Sequence, residues 1–300
     1  MIIGHKTAIR DLKKLADGEN LSHSYIFWGP AMVGKRAVAE ALANYLETGS
    51  FDKPQLLQDF LRIAPDEKNS IGIDQVRQIK NFLWQKPALS SRRTLVLDDA
   101  ERMTAEAQNA LLKITEEPPA SSLLVLVASD VDALIPTVFS RFQKLYFSPV
   151  PKREFLAWAT KEFGDTKKVA DAVSVSAGRP GLLHMFLSGE GFAESIEAAQ
   201  KLFRLSMDKR RELLKRMMER DGFDFEKLLD ALILISSWEF TEASINKKNN
   251  SNAQTPAIRH LQFAGWWHAL MRLRYESAYF NLNPRLQLES LFQGRGSMRT

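Results

Sequence analysis

The chain has 300 residues, 45% apolar and 26% charged, the balance of a globular protein with room for two or three domains. It has no cysteine, which excludes disulfides and thiolate zinc sites, and no apolar run long enough to span a bilayer as a helix. A net charge of +5 and a pI near 9.3 fit work beside nucleic acid without requiring it.

The first residues, Met1-Ile2-Ile3-Gly4-His5, show no basic region followed by an apolar core, so the expected location is cytoplasmic, away from membranes. Residues 5–16 carry apolar side chains at helical spacing and end in Asp17-Gly18-Glu19-Asn20. Ser24-Tyr25-Ile26-Phe27-Trp28 is an apolar run stopped by Gly29-Pro30 and predicts a buried strand. The Ala-rich, periodic residues 35–47 predict a helix, and residues 48–70 read as irregular and polar. Ile73, Val76, Ile79 and Leu83 share one face of a predicted helix. Residues 94–97 predict a second strand, ending at Asp98-Asp99. Thr104 is the expected N-cap of a helix through Ala110-Leu111-Leu112 that stops before Pro118-Pro119. Residues 123–127 predict a third strand.

Strands alternating with helices predict an α/β class with a parallel sheet, whose ligands bind outside the carboxyl ends of the strands. Gly29, Asp98 and Ser129 each follow a strand end and are expected to converge. Beyond Pro149-Val150-Pro151 the pattern is almost wholly helical, broken at Gly178-Arg179-Pro180-Gly181 and at the polar residues 246–252, read as a surface loop.

Between the first strand and its helix lies Gly29-Pro30-Ala31-Met32-Val33-Gly34-Lys35-Arg36, a complete G-x-x-x-x-G-K. Backbone N–H groups of such a loop at a helix N-terminus form an anion site, and Lys35 would add a point charge at the outer phosphates. The bland alternative is a Gly-rich turn, which the flanking strand and helix disfavour. The Ser or Thr hydroxyl that would hold Mg²⁺ is replaced by Arg36. Asp98, after an apolar strand, fits a metal-orienting acid. Asp99 stands where a Glu usually polarises water and is one methylene shorter, so a solvated cap is its preferred reading. Arg141, in Ser140-Arg141-Phe142, is either a solvated loop charge or an arginine offered to a neighbouring subunit's phosphate, and the residues alone leave this open. Arg77, Lys80, Arg92 and Arg93 are cations suited to a phosphate backbone, with a solvated surface as the competing reading of each. The role of Trp266-Trp267 is open, with packing favoured over base stacking.

Several runs resemble the clamp-loader branch of the AAA+ ATPases, and within it the delta-prime family of bacterial DNA polymerase III subunits. They are Leu21-Ser22-His23-Ser24-Tyr25-Ile26-Phe27, Ile73-Asp74-Gln75-Val76-Arg77, and the stretch from Ala107-Gln108-Asn109 through Glu116-Glu117-Pro118-Pro119. Leu134-Ile135-Pro136-Thr137-Val138-Phe139-Ser140-Arg141-Phe142 and Asn283-Pro284-Arg285-Leu286-Gln287-Leu288-Glu289 join them. The resemblance implies an AAA+ module over residues 1–149, a helical lid over 150–190 and an all-α collar over 191–300. It favours Arg141 as an arginine finger acting in trans.

Departures from the family pattern accompany it. The family's four-cysteine zinc module is missing, Ser129-Asp130 stands at sensor 1, and Gly181 takes the slot of the sensor 2 arginine, with Arg179 early. With Arg36 and Asp99, these imply a nucleotide-binding-like pocket (Gly29, Pro30, Gly34, Lys35, Arg36, Asp98, Asp99, Ser129) that binds ATP or ADP without turnover or stays empty, with no metal. The implied partners are the tau/gamma and delta subunits, the sliding clamp and primed DNA. The rivals are an active DNA-linked ATPase such as the tau/gamma motor, a non-enzymatic interaction protein with a closed pocket, and a kinase-like enzyme, for which no acceptor-site motif is present.

Overall fold

The computed structural model describes residues 2–236 apart from 53–54, 68, 189–191, 221–222, 226 and 234, and, beyond them, residues 266, 269–270, 273 and 284–293. Contacts divide the chain into two units, Met1–Leu183 and His184–Thr300.

In the first unit, α1 (Lys6–Asp17), β1 (Ser24–Trp28), α2 (Lys35–Thr48), β2 (Phe60–Ile63), α3 (Ile73–Leu83) and β3 (Arg93–Leu97) follow one another. A 3₁₀ turn at Ala100–Arg102 leads to α4 (Ala105–Glu116), β4 (Ser122–Ala128), α5 (Pro136–Arg141) and β5 (Gln143–Tyr146). The five strands are all parallel, in the order β2-β3-β4-β1-β5. Side chains of a strand alternate between the two faces, and helices cover both, so β1, β3 and β4 read as unbroken apolar runs. Ile26, Leu95, Leu97, Leu124 and Leu126 pack with Val76, Ile79 and Leu83 of α3 and Leu111 of α4. Phe27, Val96, Val125 and Val127 pack on the other face with Val38 and Leu42 of α2 and Leu12 of α1.

Local chemistry starts the helices. The Thr104 hydroxyl accepts from the Ala107 N–H, as the sequence predicts for α4. Gln75 reaches back to accept from the Gly72 N–H at the start of α3. Two edge strands and one short helix escape the sequence reading. Residues 48–70 contain β2, which is only four residues long and half-buried, so it shows no apolar run. β5, at the other edge, exposes Gln143, Lys144 and Tyr146. Arg141, read as a loop residue, is instead the last residue of the six-residue α5.

After β5 come α6 (Lys152–Phe163), α7 (Lys167–Ser176) and α8 (Pro180–Ser188). The expected break between the last two is there: Ala177 and Gly178 adopt positive φ, and a Cβ at Gly178 would lie 2.3 Å from the Val150 carbonyl oxygen. The second unit contains α9 (Phe192–Arg204), α10 (Met207–Met218) and α11 (Pro284–Gln293). Trp266 packs against Phe203 and Phe292, with ring centroids 4.9 and 6.0 Å away, which assigns it to packing. Trp267 and residues 246–252 lie outside the described residues. Among the described residues no helix is long and apolar enough to cross a membrane.

Candidate nucleotide-like site and arginine finger

The loop after β1 is shaped by its glycines. Gly29 has φ 138°, and a Cβ there would fall 2.2 Å from the Phe147 carbonyl oxygen, so only glycine fits. Gly34, at φ 107°, turns the chain into α2. Lys35 opens that helix and is 4% exposed. Its ammonium donates to the carbonyls of Gly29 and Pro30, both at 2.7 Å, and to the Ser129 hydroxyl at 3.1 Å. An ammonium has three protons, so the two loop carbonyls and the Ser129 hydroxyl saturate it. Burial lowers its pKa to about 8, against the opposing pull of Glu101, Asp99 and Asp98.

Gly29, Lys35, Asp98 and Ser129 do converge at the carboxyl ends of β1, β3 and β4. Arg36, which stands where the Mg²⁺-holding hydroxyl would be, has carboxylate partners of its own. Its guanidinium pairs with Asp98 at 3.2 Å and lies 3.7 Å from Glu40. Arg62, from the unforeseen β2, approaches the same Asp98 oxygen at 3.9 Å. The hydroxyl that would help hold Mg²⁺ is thus absent, and the carboxylate of Asp98 is taken up by an internal ion pair. These residues do not fit a Mg²⁺ site of the usual kind.

Asp99 is exposed, as expected, and sits at φ 48° as it enters the 3₁₀ turn. Desolvation by the surrounding protein, and then the charge of Asp98, raise its pKa. The group missed in the sequence is Glu101. Both its oxygens accept from the Ser129 N–H, at 3.1 and 3.2 Å, and burial raises its pKa to about 7. Its only sequence signal was a carboxylate three residues after Asp98. Gln108, 4% exposed, pins the next segment: its amide donates to Ala133 O and accepts from Ile135 N.

The start of α8 closes on the loop. The Gly181 N–H donates to the Met32 carbonyl at 3.1 Å, and a Cβ at Gly181 would sit 3.1 Å from the Met32 Cβ. At Gly181, where the resemblance implies a missing arginine, the structure has a close backbone approach. Arg179 is half-buried, and burial lowers its pKa to about 10.

Arg141 lies elsewhere. β5 pairs with β1 from Tyr25↔Gln143 to Trp28↔Tyr146. Arg141 precedes the first pair and Gly29 follows the last, so roughly 10 Å of strand separates them along the sheet. Arg141 is thus at the amino end of the strands, opposite the glycine loop that follows β1. It is 39% exposed and donates to Glu116 at 3.2 Å.

The expected DNA cations divide. Arg77 and Lys80 are exposed on α3, Arg77 paired with Asp74 at 2.8 Å. Arg92 and Arg93 are structural instead. Arg92 donates to the carbonyls of Ser22 and Ser122. Arg93 stacks on Phe82, donates to Lys86 O and lies 3.7 Å from Asp59. Both sit at the amino end of β3, an interior strand, and are held by neighbouring backbone carbonyls, which the sequence alone does not reveal.

Residues 4–151 match the family described as DNA polymerase III, delta subunit. The delta-prime subunit of DNA polymerase III from Pseudomonas aeruginosa is 32% identical over 205 residues, 61% of this chain and 62% of that protein. The Escherichia coli delta-prime subunit is 28% identical over 186 residues, 57% of this chain and 56% of its own length. The chain thus matches less than two thirds of the length of these curated relatives. Among solved structures, a DNA polymerase III gamma subunit-related protein from Thermotoga maritima superposes with a TM-score of 0.50 at 22% identity, covering 94% of this chain and 97% of that one. The chain shares its fold with that gamma subunit-related protein. These sequence matches support a likeness, centred on residues 4–151, to the delta-prime clamp-loader subunits of DNA polymerase III.

Proposed function

We propose that this chain is a non-hydrolysing or weakly active subunit of the DNA polymerase III clamp loader, one that supplies Arg141 in trans to a neighbour's triphosphate. The loader would use ATP to place the sliding clamp on primed DNA, with the tau/gamma and delta subunits as partners. Residues 150–190 would act as the lid and 191–300 as the collar that joins the ring. The observation that carries the reading is the position of Arg141: exposed, and at the end of the sheet opposite its own loop. An arginine placed there serves another molecule's phosphates, and its planar fork suits their developing charge.

The pocket's own contacts support the absence of turnover. Lys35 is saturated by the loop it would use to hold phosphate, and Asp98 is paired with Arg36. Neither ATP nor ADP is then expected to be hydrolysed here. Arg77 and Lys80 are assigned to the phosphate backbone of DNA. The test is a reconstituted loader assayed for DNA-stimulated ATPase with this chain, without it, and with Arg141→Ala. Mg²⁺-dependent hydrolysis by the purified chain alone would favour the rival reading as a self-sufficient motor.

A further inference from the structure

α3 buries Val76, Ile79 and Leu83 against the sheet. Arg77, Lys80, Asn81 and Trp84, at spacings of three, four and seven, form an exposed stripe along it. Trp84 closes the helix and is 44% exposed. A ring of that size normally dominates a core or an interface. The Lys80 ammonium sits over the indole, 5.6 Å from its centroid. Among the described residues Arg77 is held by an exposed ion pair with Asp74, which contributes little and exchanges readily for phosphate.

The ground beneath the ring is stiff. Asp59, 1% exposed, accepts from the N–H groups of Ala88, Leu89 and Ser90. Arg93 stacks on Phe82 and donates to the Lys86 carbonyl. The segment leaving Trp84 is therefore anchored on both sides, and little ordering is required when a ligand arrives.

We propose that Trp84 is a stacking platform for an unpaired nucleic-acid base, set at the end of a cationic stripe that tracks the strand. The proposal rests on the reading that Arg77 and Lys80 meet the DNA backbone, and it adds the strand class: single-stranded DNA or the unpaired arm of a junction. The charges decide for nucleic acid over an apolar peptide. Arg77, Lys80 and exposed Lys86 face one acid, Asp74. An aromatic face among cations is what sequence-tolerant single-strand binding uses, and a duplex keeps its base faces stacked away.

Fluorescence anisotropy of labelled oligonucleotides with the full chain tests this, comparing an oligo-dT strand, a blunt duplex and a primed junction across a salt series. Trp84→Ala should weaken binding to the strand and junction about tenfold with the salt slope unchanged, leaving the duplex as in wild type, and Trp84→Phe should keep most of the affinity. Arg77→Ala with Lys80→Ala should weaken all three and flatten the salt slope. If the cation variants weaken binding and Trp84→Ala does not, the stacking role falls and the backbone reading stands. If Trp84→Ala keeps oligonucleotide affinity but loses a loader subunit or clamp, the ring, with exposed Leu89, belongs to a protein interface. If no oligonucleotide binds, or if the cation variants bind as wild type, the backbone reading falls, and no binding removes the stacking role as well.

Discussion

Arg141 donates a hydrogen bond to Glu116 at 3.2 Å, joining the last residue of α5 to the last residue of α4. Both side chains are substantially exposed, and an ion pair in that setting contributes about 0–1 kcal/mol. Arg141→Ala should therefore leave the melting temperature and loader assembly close to wild type. Turnover at the ATP site that Arg141 serves should fall on the order of 10³-fold, read as a loss of DNA-stimulated ATPase in the assembled complex. Wild-type turnover in the mutant complex would remove the finger from the mechanism.

Lys35→Met leaves the Gly29 and Pro30 carbonyls and the Ser129 hydroxyl without their shared donor. Such a loss costs about 1–3 kcal/mol, readable by urea denaturation. In wild type the folded pKa, about 8, lies below the ordinary 10.5, so the folded state holds fewer protons across that window. Stability should climb with pH between the two values in wild type and lack that climb in Lys35→Met.

For Glu101 the sign reverses. Its folded pKa, about 7, lies above the ordinary 4.5, so the folded state binds the extra proton between them. Stability from this group is present below about pH 4.5 and is lost as pH rises through 7. Glu101→Gln keeps an oxygen for the Ser129 N–H and removes the charge. Melting curves from pH 4.5 to 7.5 should be flatter for the variant than for wild type, and parallel curves would contradict the assignment.

Asp59 should be the costliest single carboxylate to lose. Its burial pushes the pKa up, but the N–H groups of Ser90, Leu89 and Ala88, with Arg93, more than offset this and hold it below the usual range. Its stabilisation is present above pH 4 and lost as acid protonates it. Asp59→Ala should cost about 3 kcal/mol in chemical denaturation at pH 7, because Arg93 and three backbone donors lose their acceptor together.

The sequence made β1, β3 and β4 legible because each is a continuous apolar run, buried on both faces. It marked the phosphate loop through its glycines and the start of α4 through Thr104. β2 and β5 were not legible because edge strands of four residues need no such run. Glu101 and Gln108 were hidden for another reason. Their partners lie 25 to 28 residues away, and nothing local tells a bound polar side chain from a solvated one. Arg36 was legible as a lost hydroxyl but not as half of an ion pair, because its partner Asp98 lies 62 residues on.

The strand register between β1 and β5 has a consequence for assembly. A module that offers its guanidinium at one pole and receives triphosphate at the other has a direction, so identical contacts between such modules run head to tail. In this chain, on the proposed function, the giving pole works and the receiving pole is blocked by its own salt bridge. It can complete one neighbour's reaction and have none completed in return, which marks it as the terminus of a series of firing sites.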